Sequence, residues 1–349
     1  MTRDFSLCKA VCAVFCLSLT ISCGKTNKQP QDADSEVMTN LGTTANNLVA
    51  SRFASYKAKT TPHCRSTSAE AKRVIVTGFG LFSGVNYNIS GTVAGSLLNG
   101  YFPGAFDAAL PAGTASPDSS VLATADYGGR AQVKQVTIEG NTYEVCTLLL
   151  EVTWDLAASI IVHEASQFKP ELIVMSGADG SNNYVGTFEA RTRNEASIGA
   201  GSYDSRGQSR GDIAPISGSV LADYAGTTVD MTWNRDALAA ATSSLVSEID
   251  LVDGSDTRYS LDTDLSDPGS YICNNVSYVV LSAIAGRTIR LAGRRISNST
   301  LGYAPGVLAN VKAGFFHYPW DATTGASPDS KRIYGWSKVI AKAIVTSVP

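Results

Sequence analysis

Three stretches of this 349-residue chain hold side chains that could do acyl-transfer chemistry together. The first is Asp267 to Asn275, with Cys273 just ahead of an apolar run that reads as a helix over 275–284. A cysteine entering a helix has its thiolate favoured by the helix dipole and by the backbone N–H groups of the first turn. The second is Ala313 to Trp320, where His317 closes a short apolar strand; a neutral imidazole there can take the thiol proton. The third is Gly177 to Asn194, beyond the carboxyl end of a buried strand, which offers carboxylates to orient that imidazole and stabilise its cation. The plain reading of the same residues is a buried core thiol and a histidine packed beside Tyr318 and Trp320.

Little else competes for these roles. Of the three histidines, His63 adjoins Cys64 in a polar stretch, and His163 lies among Ile160, Ile161 and Val162 on an amphipathic helix. No Cys/His cluster has zinc spacing, so no metal is expected. Gly78, Gly80 and Gly84 follow a strand and imitate a dinucleotide-binding turn. Ser83 takes the third glycine position, Asn86, Tyr87 and Asn88 delay the helix, and no acid occurs between Gly84 and Asp107 to hold a ribose. No G-x-S-x-G elbow is present. A net charge of −3 gives no basic nucleic-acid surface.

The elements that must position these side chains alternate. Strands are expected over 72–78, within 132–152, over 170–177, 259–264 and 311–316. Helices are expected over 46–59, 90–99, 154–168, 236–249, 275–284 and 333–348. Residues 101–130 and 196–228 are polar, glycine-rich insertions. Alternation of this kind predicts one three-layer α/β/α domain with a mostly parallel or mixed sheet and helices on both faces. Sites in such sheets gather beyond the carboxyl ends of the strands, where all three stretches fall.

The amino terminus reads as a targeting segment. Arg3 and Lys9 precede an apolar run from Ala10 to Ile21, short for a bilayer span and suited to a signal core. Ser22-Cys23 at its end resembles a bacterial lipoprotein cleavage site, so residues 1–22 are expected to be removed and Cys23 to carry lipid. Residues 23–70 then form a tether and linker, and 71–349 the folded domain. The expected place is the cell envelope, on its periplasmic or surface face, with a lipid anchor and no nucleic-acid partner. Cys64, Cys146 and Cys273 remain after the signal and the lipid are assigned; in an oxidising compartment they suggest one disulfide and one thiol left over.

The same stretches resemble the pyroglutamyl peptidase I family of cysteine peptidases over roughly residues 72–349. Thr77-Gly78-Phe79-Gly80-Leu81-Phe82-Ser83-Gly84 is similar to its T-G-F-x-P-F-G-G turn. Gly177-Ala178-Asp179-Gly180-Ser181 is similar to its G-Q-A-G-G turn, Tyr271-Ile272-Cys273-Asn274 to its F-V-C-N, and His317-Tyr318-Pro319 to its H-x-P. The resemblance implies a catalytic triad of Glu189, Cys273 and His317, with Asn194 also matching. It implies removal of an N-terminal pyroglutamyl residue from peptides with a blocked N-terminus, without a cofactor. Phe79, Phe82, Tyr271 and Ala178 would line the substrate pocket. Leu81, Ser83, Ala178 and Tyr271 depart from the family pattern, so specificity is where this chain is expected to differ. The alternative is a ligand-binding or structural envelope lipoprotein on the same fold. With Cys273 assigned as nucleophile, Cys64 and Cys146 are left to bond each other.

Overall fold

The computed structural model describes residues 43–59, 63–80, 88–98, 130–179, 184–194, 202–203, 209–210, 228–249, 258–262, 268–269, 271–319 and 330–349. The amino-terminal stretch with Cys23, the turn holding Phe82, and most of both glycine-rich insertions lie outside these residues. In chain order the elements are α1 (Thr43–Ala58), β1 (Lys72–Phe79), α2 (Ile89–Leu98), β2 (Arg130–Ile138), β3 (Asn141–Leu150), α3 (Leu156–Phe168) and β4 (Leu172–Ala178). There follow β5 (Val185–Phe188), β6 (Arg191–Arg193), β7 (Ser202–Tyr203), β8 (Ser209–Arg210), β9 (Thr228–Asp230) and α4 (Arg235–Ser247). The remainder are β10 (Ser260–Asp262), α5 (Ile272–Ile284), β11 (Arg290–Leu291), β12 (Ile296–Ser297), α6 (Asn298–Leu301), β13 (Lys312–Tyr318) and α7 (Ser330–Ser347).

Seven strands form one mixed sheet in the order β10-β5-β13-β4-β1-β3-β2. β3, β1, β4 and β13 run parallel, while β2 pairs antiparallel with β3 and β5 antiparallel with β13. The parallel strands are apolar on both faces because both faces are covered. In β4 every residue is buried, and Val74, Ile75 and Val76 are the middle of β1. Helices α2, α4 and α7 pack on one face, and α1, α3 and α5 on the other. This is the expected three-layer α/β/α architecture.

Local signals explain several boundaries. Glu139 and Gly140, both at positive φ, make the two-residue turn of the β2–β3 hairpin. Lys169 ends α3 in the left-handed conformation, and Pro170 follows. Asn234 caps α4 by accepting from Ala237 N at 3.1 Å. A Cβ on Gly78 would lie 2.1 Å from the Ser90 carbonyl oxygen, so only glycine lets α2 start against the end of β1.

Residues 46–59 and 63–66, within the stretch the sequence reads as tether and linker, pack on the domain. Val49, Phe53 and Tyr56 of α1 are buried, and Arg52 bonds Glu151 beyond β3. Cys64 and Cys146 form a disulfide with Cα atoms 5.6 Å apart, joining this arm to β3. Beside it, the buried Glu164 carboxylate accepts from Tyr56 OH at 2.8 Å and Cys64 N at 2.7 Å, with His63 Nδ1 at 2.6 Å. Burial, together with the Glu164 charge, pushes the Tyr56 hydroxyl well above its ordinary range. Ser66 and Thr67 bond Glu144 in the same way. Burial alone would raise that carboxyl, and these bonds outweigh it and lower it.

Candidate active site

β13 and β4 run side by side with His317 opposite Gly177 and Tyr318 opposite Ala178. Side chains alternate along a strand, so Phe315 and His317 face α5 while Phe316 and Tyr318 face α7. The ring contacts agree: Phe315 lies 4.8 Å from His317, whereas Phe316 and Tyr318 pack against Trp336 of α7. Expected at the strand's end, His317 is instead inside it, because pairing continues through Tyr318. It is 2 % exposed.

Glu189 follows the short strand β5. Its backbone N–H donates to Phe315 O at 2.9 Å, and its carbonyl accepts from the Trp233 indole at 3.2 Å. So fixed, its Oε1 lies 2.7 Å from His317 Nδ1. A carboxylate only accepts, so Nδ1 carries a proton, and in the neutral ring the lone pair sits on Nε2. His317 Nε2 and Glu189 Oε2 are both buried without a hydrogen-bond partner.

Helix α5 starts at Ile272, three residues earlier than the sequence suggests, with Tyr271 as its N-cap. Cys273 is therefore inside the first turn, where the N–H groups have no intrahelical acceptor. A Cβ on Gly177 would lie 2.9 Å from Cys273 Sγ and 3.0 Å from the Phe315 ring. Because Gly177 is His317's partner across the two strands, the sulfur sits over the same sheet face as the imidazole. The absent side chain at 177 is what makes room for it. Cys273 takes no part in the bridge between Cys64 and Cys146, which hold each other.

The two residues after Cys273 hold the helix start. Asn274 Oδ1 accepts from Thr192 Oγ1 at 2.5 Å and Arg193 N at 2.8 Å, and its Nδ2 donates to Arg193 O at 2.8 Å. β6, which carries those partners, begins two residues after Glu189, so the start of α5 and the Glu189 carboxylate share one support. Asn275 bonds Asp155 ahead of α3.

The expected pocket residues divide. Tyr271 is buried, its ring meeting Trp154 edge-on at 5.5 Å. Phe79 is buried at the end of β1, on the face opposite Gly78 and α2 and therefore on the α5 side. Ala178 shares the Tyr318 face rather than that of His317. Phe82 lies outside the described residues. Two cavities open nearby or further along the sheet. One of about 500 Å³ is lined by residues from Glu189 and Met231 to Asp236, without His317. Among the described residues no group of three His, Cys, Asp or Glu side chains is placed to hold a metal ion, and no helix is long and apolar enough to cross a membrane.

By sequence, the chain matches no family profile and no curated protein. By structure, it is similar to pyroglutamyl peptidase I of Bacillus amyloliquefaciens, at 15% identity and a TM-score of 0.47, over 79% of this chain and 96% of that one. It is likewise similar to the pyrrolidone carboxyl peptidase of Thermococcus litoralis, at 18% identity and a TM-score of 0.45, over 79% of this chain and 93% of that one. A variant of the Pyrococcus furiosus pyrrolidone carboxyl peptidase aligns at 17% identity and a TM-score of 0.45, over 79% and 98% of the two chains. At these identities and TM-scores the likeness assigns no residue a role and no reaction to the chain.

Proposed function

We propose that the chain, with Cys273 reduced, is a cysteine peptidase that removes an N-terminal pyroglutamyl or related residue from peptides. The observation that carries this reading is the buried Glu189–His317 bond, 2.7 Å long, on the sheet face over which the Cys273 sulfur lies. His317 Nε2 takes the Cys273 proton, and Glu189 holds the ring and stabilises the imidazolium. The thiolate attacks the acyl carbonyl carbon. The negative charge that develops on the carbonyl oxygen is met by N–H groups of the first turn of α5, a contribution of roughly 3 kcal/mol in comparable sites. The carbon–nitrogen bond breaks as the imidazolium protonates the departing amine, leaving a thioester. Water, deprotonated by Nε2, then releases the acid and restores the thiol. Phe79 and Tyr271 supply apolar walls for a flat ring.

The alternative reading is a ligand-binding or structural protein on this fold. One assay separates the two. Protein lacking residues 1–23 is reduced under mild conditions and offered a pyroglutamyl-coumarin substrate and its alanyl analogue. Release of coumarin that disappears in Cys273→Ala supports the peptidase. Absence of turnover, with the Cys273 thiol titrated as present, refutes it.

We also propose export of the chain with a diacylglyceryl anchor on Cys23, motivated by the apolar run ending in Ser22-Cys23 and the polar stretch after it. Intact mass of membrane-extracted protein tests it: a mature chain starting elsewhere, without lipid, overturns the proposal.

A further inference from the structure

Asp155, an ionisable residue, is wholly buried and held at φ 61° and ψ −33°, a positive-φ conformation uncommon for a non-glycine residue. Its surroundings explain the arrangement. The Asp155 backbone N–H donates to Asn275 Oδ1 at 3.1 Å, and Asn275 Nδ2 donates back to Asp155 Oδ1 at 3.1 Å. The second carboxylate oxygen accepts from Ala292 N at 2.8 Å, in a turn where Ala292 also has positive φ. Asn275 is itself fully buried, so water does not compete for these bonds.

Resting on the peptidase reading, we infer that Asp155 and Asn275 are positioning residues that set the orientation of Cys273. Successive helical residues project about 100° apart. Asn274 ties the start of α5 to β6, and Asn275 ties it in a different direction to the entrance of α3. Two sets of bonds in two directions stop the helix start from rotating about its axis and from sliding along it. Cys273 is the next residue on that turn, so the freedom removed is the freedom that would carry its sulfur away from His317. Packing between α3 and α5 alone would hold the helices together without fixing this rotation, since apolar contacts are non-directional.

The bonding pattern supplies a sharp test. Asp155→Asn places an amide N–H₂ against either Asn275 Nδ2 or Ala292 N, donor against donor. Asn275→Asp places two carboxylate oxygens against each other. The two changes together restore these three bonds: the amide at 155 donates to the carboxylate at 275 and accepts from Ala292, and the 155 backbone N–H still finds an oxygen. Asparagine and aspartate are both enriched at positive φ, and a carboxylate is favoured in a helix's first turn, so the doubly changed chain keeps both local preferences.

The full exported chain, reduced, is measured for kcat and KM on pyroglutamyl-coumarin and for the rate at which iodoacetamide alkylates Cys273 at one fixed pH. Misplacing a reacting atom by about 1 Å costs up to about a hundredfold. Each single change is therefore expected to lower kcat by about tenfold to a hundredfold, with KM within about threefold, and to slow alkylation. The paired change is expected to regain both rates to within about threefold. Single changes that leave both rates at the parent level overturn the inference. So does a paired variant that fails to fold, or that folds and stays as slow as the single ones. A parent that turns over nothing, with alkylation following the lost-and-regained pattern, sinks the peptidase reading and leaves the positioning of Cys273 standing.

Discussion

Gly177→Ala puts one methyl group into the space that the Cys273 sulfur occupies. The new carbon would stand 2.9 Å from Sγ and 3.0 and 3.4 Å from two Phe315 ring carbons. Carbon contacts are comfortable at ~3.5–4.0 Å, so something must move by about 0.6–1 Å. Phe315 is fully buried with its ring against His317, so it passes any displacement to the imidazole. On the proposed mechanism, either displacement changes the position of the sulfur relative to Nε2. A shift near 1 Å is worth up to about a hundredfold in turnover, and overpacking of this kind costs about 1–3 kcal/mol of stability. Gly186→Ala is the matched control. Its Cβ would stand 3.0 Å from Phe316 and 3.4 Å from Trp336, a similar crowding on the opposite sheet face. Both variants are expected to melt several degrees lower, while only Gly177→Ala loses about a hundredfold in kcat/KM on the coumarin substrate. Equal losses of turnover in the two would refute the reasoning, because general packing rather than the sulfur's seat would then set the rate. Full activity in Gly177→Ala would refute it more directly.

Other changes carry separate expectations. Cys273→Ala should abolish turnover and His317→Ala nearly so, while Glu189→Gln should retain more, since an amide oxygen can still accept from Nδ1; single-turnover assays rank the three, and Glu189→Gln falling to the Cys273→Ala level would count against the assigned roles. Replacing Cys64 and Cys146 together by serine opens a bridge spanning 82 residues, for which loop entropy gives about 4.5 kcal/mol and measured bridges typically give less; urea unfolding reads the loss, and an unchanged midpoint would contradict it. Burial holds the His163 imidazole below its ordinary range, against the opposing pull of the Leu301 carbonyl. The unfolded chain then binds a proton that the folded one refuses, so this contribution is whole above about pH 6.5 and drains as pH falls towards the folded value. His163→Gln should flatten the urea midpoint between pH 5 and 7; an unaltered slope would place that dependence elsewhere.

The sheet's centre was legible because β1, β4 and β13 are short apolar runs bounded by glycine and proline, and burial on both faces demands such runs. α3 and α7 were legible from their apolar period. The small elements were not. β5 is four residues, Val185 to Phe188, with no run or alternation to mark it, yet it delivers Glu189 to the imidazole. The start of α5 lies three residues before the expected Asn275, where Asn274 and Asn275 turn their side chains to β6 and Asp155, contacts that no local spacing encodes. Asp155 itself left no signal: its partners lie 120 and 137 residues away, and no local spacing encodes such a contact. The arm from α1 to Cys64 looked like linker because its few apolar residues, Val49, Phe53 and Tyr56, are spread through a polar stretch.

The molecule contains its own comparison for the His317–Glu189 pair. His63 also meets a buried glutamate, with Nδ1 2.6 Å from Glu164, but its other nitrogen lies 3.3 Å from the Lys59 carbonyl. Glu164 is likewise used at both oxygens, by Tyr56 and the Cys64 N–H. A pair built for stability looks like that, since each buried polar atom left without a partner costs about 1–3 kcal/mol. His317 Nε2 and Glu189 Oε2 accept that cost. A purely structural role gives no reason to keep the Nε2 lone pair buried and unpaired; the proton transfer proposed above would give one. A thiol has a proton to offer that lone pair. On the proposed reading, the Cys273 thiol therefore does two things at once: it is the nucleophile, and it supplies the hydrogen-bond donor that Nε2 lacks. Comparing the stability of reduced protein with and without that thiol tests the second effect without any substrate. Reduced protein that is no more resistant to urea in Cys273-intact form than in Cys273→Ala would show that the thiol and Nε2 do not meet.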